Sequence, residues 1–563
     1  MNNCSFLAKT AAAIQITGCL RTAFAARLLP FLLLLVLPAV VQAQFTFTTN
    51  YNGTINLWKY TGPGGVVIIP DTFNGLPVTS VGGGAFADNH GVTSVVIPNS
   101  VTTIWNEVFQ NCTSMTNVTI PDSVTSIGNW AFVNCTNLTG IMIPNSLTNI
   151  GFLVFDWCTG LATITVDTNN PAFSSLDGIL FNRSQTTLIE YPQGKAGNFT
   201  VPESVTNIAD DAFGACTHLT NVIIGNSVIT IGSGAFYRCT NLASIAIPNS
   251  VTSIGYDEFS FCSSLTNITI GNSVPSIGED AFYSCTSLAS ITIPNSVTNI
   301  GMQAFDLCAG LTMIMVDTNN PAFSSVGGAL YDKGRTLLIK CPEGKAGSFI
   351  IPDGVISIGD GAFSYCTRLT SVTIPNSVTS IEIFAFGYCS SLTKVALPDS
   401  IASLGSYAFS YCTSLTNITI PNRVANIEDH TFESCTNLTG AFFMGNAPGV
   451  GLDVFYNDNS AVVYYLPGTT GWASTLDGRP TAPGFLPNPV ILDNSPSFGV
   501  RTNRFGFIIS WATNTHVVVE ACTTLSQHDW RSLGTKTLIG GSLYFSDPDW
   551  TRYRVRFYRV RSR

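Results

Sequence analysis

Charge is what this sequence has least of. Asp, Glu, Lys and Arg make up 10% of the 563 residues, against 45% hydrophobic residues. A disordered chain needs the opposite balance, so disorder is excluded. Uncharged Ser, Thr, Asn and Gly must cover most of the surface. The formal net charge of −9 also excludes general nucleic-acid binding. Histidine is scarce as well. The five, His90, His218, His430, His516 and His528, share no repeat position. No G-x-S-x-G, H-E-x-x-H or G-K-[ST] loop occurs. We therefore expect no catalytic residues, no metal and no cofactor.

Long hydrophobic runs are missing too, with one exception. "LLPFLLLLVLPAVV" runs from Leu28 to Val41, behind Lys9, Arg21 and Arg27, and "VQA" ends at Ala43. Fourteen residues are too short to span a bilayer, which takes ~20. A basic flank, a short apolar core and a small residue at the exit define an export signal, residues 1–43. "ITGC" at Cys19 precedes the apolar core, so it does not fit a lipoprotein site. The mature chain is expected to be exported, secreted or on the cell surface, with no membrane span.

What the chain has in abundance is one phrase. "IPNSVTSIGYDEFSFCSSLTNIT", Ile247 to Thr269, recurs in near-copies from 97, 120, 143, 201, 224, 270, 293, 351, 374, 397 and 420. The step is 23 residues, except for two steps of 58. Each long step is one repeat plus 35 residues. The two additions are alike: "VDTNNPAFSSLDGILFNRSQTTLIEYPQGKAG" from Val166 and "VDTNNPAFSSVGGALYDKGRTLLIKCPEGKAG" from Val316. They lie 150 residues apart, as a duplicated block would place them. Periods of 20 to 50 residues build solenoids. Ile291 and Ile293 alternate with Ser290 and Thr292, which is strand period, and Pro294 suits a strand exit. Ile127, Ala131, Phe132, Cys135 and Leu138 fall on one face of a short helical segment. One such unit cannot bury enough apolar surface to hold itself, so the copies must stack.

The pattern L-x-x-I-x-I-P-x-S-V-x-x-I-G-x-x-A-F-x-x-C resembles the BspA-like class of leucine-rich repeats. Phe132, Phe236, Phe282, Phe386 and Phe409 fill its aromatic position, and Cys135, Cys239, Cys285, Cys389 and Cys412 its cysteine position. The resemblance covers about Tyr51 to Gly484. It implies a right-handed leucine-rich-repeat solenoid of strands and helical turns, about 13 units long. The stretches near 166–200 and 316–350 resemble hairpin-type inserts of that family. It also implies binding or adhesion, and brings no catalytic residues. Residues 44–86 read as a divergent N-terminal cap, 87–445 as the repeats, 446–484 as the C-terminal cap and 485–497 as a Pro/Asn-rich linker. Short strand-like runs in 498–563, such as "FGFIISWA" and "HVVVEACTTL", suggest a small all-β sandwich. It resembles immunoglobulin- or fibronectin-like tail modules of bacterial exported proteins.

Sixteen cysteines in an exported chain suggest disulfides. Twelve of them, however, occupy the same repeat position, so stacking places them ~4.8 Å apart with parallel Cα–Cβ bonds. A disulfide wants Cβ atoms at ~3.8 Å. A buried ladder of free thiols is expected. Cys341 and Cys522 fall outside it.

The concave strand face is the candidate binding surface, for an extracellular protein or glycan. Its solvent-side residues are Asn117, Thr119, Asn221, Asn267, Thr269, Ser290, Thr292, Ser371, Thr373, Asn417 and Thr419, interrupted by Met142, Ile223, Met313, Met315 and Phe442. The same columns equally suit a soluble sheet face stabilised by cross-strand Thr and Asn pairs, as a structural envelope protein would need. From Gly499 onward the chain carries 10 Lys/Arg and 4 Asp/Glu, a balance of +6. Arg552, Arg554 and Arg556 alternate with Tyr553, Val555 and Phe557, which reads as a strand with a basic outer face. That face is either solvated or drawn to an acidic polymer. "LPGTTG" at Leu466 lacks the order and the apolar tail of a sortase signal.

Overall fold

The structure is a computed structural model. It describes residues 44–466, 468–484, 490–492, 498–501, 504–510, 515–524, 529–539 and 542–562. The expected export signal, most of the expected linker and His528 lie outside the described residues. The chain forms two compact units. One comprises 1–185 with 190–195, the other 186–189 with 196–563.

Both units are built from stacked coils, as the repeat requires. Within each unit, strands mark successive passes of the chain along one side, from Gly65–Ile68 to Thr163–Val166 in the first and from Gly197–Thr200 to Arg479–Pro483 in the second. Neighbouring passes pair in parallel and in repeat register, for example Ser94 with Asn117, and Asn221 with Ser244 and Asn267. The central residue of each strand points inward, so Val118, Ile268, Ile291 and Ile418 are buried. A second, shorter ladder is made by the "x-I" of "VTxIG": Ser126–Ile127 pairs with Asn149–Ile150, and Ser357–Ile358 with Ser380–Ile381.

The third side is not the helical segment that the spacing predicts. It is an arc of consecutive turns with two residues per coil in the left-handed region, such as Glu107 (φ 59°) and Asn111 (φ 58°), or Phe384 (φ 54°) and Tyr388 (φ 60°). An α-helix needs negative φ throughout. The left-handed conformation costs a non-glycine residue roughly 1–2 kcal/mol. Stacking offsets this. Glu107, Phe109 and Asn111 donate their N–H groups to the carbonyls of Asn129, Ala131 and Val133 in the next coil, at 2.9, 2.7 and 2.9 Å. A helix would spend those groups within its own coil. The same inward positions are filled either way, which is why periodicity alone could not distinguish them.

Core aromatics stack along each unit. In the first unit Tyr60, Phe86, Phe109, Phe132 and Phe155 lie 5.0 to 5.9 Å apart. In the second, Phe213, Phe236, Phe259, Phe282 and Phe305 form one column, and Phe363, Phe386, Phe409, Phe432 and Phe455 another. The fourteen described cysteines are all buried and none forms a disulfide, Cys341 and the tail's Cys522 included. The thiols also bond: Cys135 donates to the Phe109 carbonyl and Cys239 to that of Phe213, each at 3.1 Å. Cys285, Cys389 and Cys412 do likewise. The ladder thus links each coil to the one before it.

In the first unit the strands Phe45–Thr49 and Ile55–Tyr60 form an antiparallel hairpin at the start of the short ladder. Asn89 stands in the cysteine position there and accepts from the N–H groups of Gly91 and Val92 at 3.1 Å.

The inserts contain the expected hairpins: Phe173–Leu176 with Ile179–Asn182, and Phe323–Val326 with Ala329–Asp332. The second insert is more than an addition to a repeat. Leu337–Lys340 pairs with Ser357–Ile358 of the short ladder, and Gly347–Ile350 with Leu369–Thr373 of the long one. It is a coil in its own right, because it serves both ladders.

The tail comprises two sheets. One holds Val490–Leu492, Gly499–Arg501, Arg504–Ser510 and Ser542–Asp547, the other Thr515–Cys522, Arg531–Leu538 and Phe557–Ser562. Phe507, Ile509, Val517, Val519, Leu538 and Phe545 form one core between them. Val490–Leu492 lies inside the stretch read as a linker, and pairs with Ile508–Ser510. The expected basic strand is displaced. Trp550–Arg552 is a 3₁₀ turn and the strand begins at Phe557. Arg552 and Arg556 are spent on Asp549 and Asp547, at 3.3 and 2.8 Å. The alternation that does lie on a strand is Arg559 and Arg561, which grip the nearly buried Glu520 at 2.7 and 3.0 Å.

Candidate functional site

The solvent face of the long ladder carries the expected columns. Asn117, Thr119, Asn267, Thr269, Thr292, Thr373 and Asn417 are exposed, while Asn221, Ser290, Ser371, Thr419 and Phe442 are half-buried. Side-chain bonds within the columns are few: the Thr165 hydroxyl reaches the Met142 sulfur in the coil before it at 3.2 Å, and Asn417 donates to its neighbour Thr416 at 3.3 Å. Threonines at the start of several strands tie the coils together instead. Thr116, Thr266, Thr370 and Thr439 donate their hydroxyls to the carbonyls of Thr93, Ala243, Gly347 and Thr416, at 3.0 to 3.2 Å. Most of the outward Asn and Thr groups face solvent or ligand. Met142, Ile223, Met313 and Met315 stand exposed among them.

At the C-terminal end this face acquires an aromatic pair. Thr419, Phe442 and Tyr464 are in register, and the two rings stack at 4.9 Å and 13°. Gly440 makes room: a Cβ there would sit 2.7 Å from the Phe442 ring. Phe442 was legible in the sequence, but its partner Tyr464 lay in the divergent cap, where the repeat no longer marks facing residues.

A second feature lies on the turn side of the second unit. Beside the insert is a notch of about 580 Å³. It exists because the insert replaces a regular arc with the short path Lys340–Gly344. Two side chains stand in for missing backbone groups. The Lys340 ammonium reaches the Gly361 carbonyl at 3.4 Å and the Ser364 hydroxyl at 3.2 Å. The Glu343 carboxylate accepts the Leu307 N–H at 2.9 Å. Lys340 pairs with Asp306 at 2.5 Å and Glu343 at 3.3 Å, all three groups largely buried. Burial works against the Lys340 ammonium, but Asp306 and Glu343 outweigh it and hold its pKa above the ordinary value. Burial pushes Glu343 up to about 7, against the pull of Lys340.

Two columns of stacked rings begin at the notch. Tyr365, Tyr388 and Tyr411 lie 4.8 and 4.5 Å apart. Phe384, Tyr407 and His430 lie 4.6 Å apart. All six residues lie in the left-handed region, a conformation bulky side chains normally avoid. The repeat pattern leaves these positions variable, so they do not stand out beside the regular Phe and Cys columns.

Among the described residues, no group of three or more His, Cys, Asp or Glu could hold a metal ion, and no helix is long and apolar enough to cross a membrane.

A family model described as the BspA type leucine rich repeat region, in six copies, matches residues 79–196, 191–312 and 343–461, together more than half of the chain. No curated protein matches. Among solved structures, a leucine rich cell surface protein from Faecalibacterium prausnitzii A2-165 is 28% identical. The match covers 77% of this chain and 94% of that one, with a TM-score of 0.45. A leucine-rich repeat protein from Bacteroides ovatus ATCC 8483 is 27% identical, over 75% of this chain and 93% of that one, with a TM-score of 0.35.

Proposed function

Since the chain belongs to the BspA-type leucine-rich-repeat family, we propose that it is an exported, non-enzymatic protein that binds an extracellular protein or glycan through its repeats. The observation that carries this reading is the Phe442–Tyr464 pair on the solvent face of the long ladder. Aromatic side chains supply large contact area at low entropic cost, and they dominate binding surfaces. Around the pair, uncharged groups such as the Thr419 hydroxyl and the Asn417 amide oxygen offer further donors and acceptors. The stretch 1–43, read as an export signal, supports a surface outside the cytoplasm, secreted or on the cell. The tail then serves as an immunoglobulin- or fibronectin-like module.

The test is to screen the chain from Gln44 to Arg563 against arrays of glycans and extracellular proteins. Saturable binding that weakens at least tenfold in Phe442→Ala is the expected result. Binding unaffected by that change moves the ligand elsewhere. No binding to either array overturns the proposal in favour of a structural envelope scaffold.

A further inference from the structure

The notch beside the second insert has open backbone groups on both walls. In a regular pair of coils, Asp280, Phe282 and Ser284 donate N–H bonds to the carbonyls of Met302, Ala304 and Asp306, at 3.1, 2.9 and 2.8 Å. The coil from Gly301 to Leu307 has the same three donors, Gln303, Phe305 and Leu307, but no arc follows it. Leu307 is answered by Glu343. The N–H groups of Gln303 and Phe305 have no acceptor among the described residues. Across the notch, Ala362 accepts from the Cys341 N–H at 2.7 Å, while the carbonyls of Asp360 and Ser364 accept no such bond. A row of donors thus faces a row of acceptors across the space that a coil would occupy.

The side chains add two further constraints. The rim is apolar and exposed: Met302 is 72% exposed, Ile383 49% and Phe384 36%. Among the described residues, no ring stacks on the outer face of Tyr365 or Phe384, the first members of their columns. The charged groups lining the notch are Asp306, Asp360 and Lys340, and Lys340 is already held by Asp306 and Glu343. The unmatched charge is negative. Carboxylates here repel an anionic ligand, so neutral acceptors suit Gln303 and Phe305, and a polypeptide backbone supplies them together with the donors that Asp360 and Ser364 accept from.

We propose that the notch binds an extended polypeptide segment of a partner protein, in the place of the missing arc. In an extended strand, residues i and i+2 direct both their C=O and N–H groups to the same edge. Two carbonyls of the segment therefore meet Gln303 and Phe305, and N–H groups of its other edge meet Asp360 and Ser364. This is strand addition to an open edge, with affinity from the backbone and specificity from the side chains. One aliphatic or aromatic side chain rests between Met302, Ile383 and Phe384. A neighbouring Lys or Arg is drawn to Asp360.

The test uses the chain from Gln44 to Arg563 as bait for a display library of random dodecapeptides. Recovered peptides are synthesised with a fluorophore and titrated by polarisation. The expected peptides pair an apolar residue with Lys or Arg. Their affinity falls at least tenfold in Met302→Lys and in Ile383→Lys, exposed positions where the fold tolerates the change. Affinity stays within twofold in Met142→Lys, on the solvent face of the long ladder. Thermal unfolding checks that each variant is folded. Peptides that bind both notch variants as well as the parent overturn the proposal, as does recovery of acidic peptides or of none. Peptides lost only in Met142→Lys or Phe442→Ala overturn it too, and support the long-ladder surface instead.

Discussion

The two inserts are near-copies, 150 residues apart, and they differ where it matters most for chemistry. Their frames are the same. Asn170 and Asn320 are both fully buried. Each donates its amide to two carbonyls, those of Pro144 and Leu147 at 2.6 and 2.8 Å, and those of Pro294 and Val297 at 2.7 and 2.8 Å. Each also accepts from two N–H groups of its own hairpin, at 2.7 and 2.9 Å. The closing paths are not the same. The first has Glu190, Tyr191 and Gln193 where the second has Lys340, Cys341 and Glu343. In the first, Gln193 donates to Asp156 at 3.1 Å. In the second, Asp306 takes an ammonium instead. One Asn sets the shape in both copies; three exchanged side chains decide whether the closing path is bridged by an amide or by a buried ion pair. Shape and chemistry are carried by different residues, and so could change separately after duplication.

The sharpest way to break this comparison is Lys340→Met. It leaves Asp306 and Glu343 without their cation, and uncompensated buried charge costs about 3–5 kcal/mol. Denaturant unfolding should show a loss of that size for the second unit. Little or no loss means that the ion pair does not hold the closing path.

The next effect separates the two duplicated blocks at another position. Glu258 stands where the later block has Ala408. It is fully buried. One oxygen accepts the Gly255 N–H at 3.0 Å and the other has no partner. The short ladder thins here to an isolated bridge between Ile254 and Ile277, because the Gly255 N–H is spent on the carboxylate. Burial raises the Glu258 pKa to about 8. The folded chain therefore keeps a proton that the unfolded chain releases near 4.5, the ordinary value for Glu. Between those pH values the unfolded state binds fewer protons, so stability falls as pH rises. Glu258→Ala should raise stability by roughly 2–4 kcal/mol at pH 8 and flatten its pH dependence across that window. An unchanged pH profile would falsify this assignment.

Asn320→Ala and Asn170→Ala sharpen the comparison from the other side. Each leaves one carbonyl and two N–H groups without a partner, since the Pro144 and Pro294 carbonyls keep the N–H groups of Leu147 and Val297, at a cost of roughly 2–3 kcal/mol. Equal losses are expected by thermal unfolding, since the frames match; unequal losses would show that the closing paths support the frames to different degrees.

The smallest effect is expected from Glu190→Lys with Gln193→Glu, which writes the second closing path into the first insert. Buried ion pairs roughly break even with what they replace, so stability should move by no more than about 1 kcal/mol. A large loss would mean that Asp156 and its surroundings cannot accept an ammonium, and that the two frames differ after all.

The sequence alone determined the coil. A 23-residue period forces each copy to present the same side chains at the same height. The inward columns of Ile, Phe and Cys, the strand ladders and the hairpins of the inserts all follow from that repetition, since an apolar column buries itself only against its own copies. Tertiary structure decided what repetition does not encode. The arc in place of a helix depends on whether backbone N–H groups find acceptors in their own coil or in the next one. The pairing of Phe442 with Tyr464 depends on facing positions in a cap that has left the repeat. The notch depends on an arc that is absent, and on Lys340 and Glu343 taking its place. Each is a relation between coils rather than a pattern within one, and only the stacked chain brings such partners within hydrogen-bonding or van der Waals range.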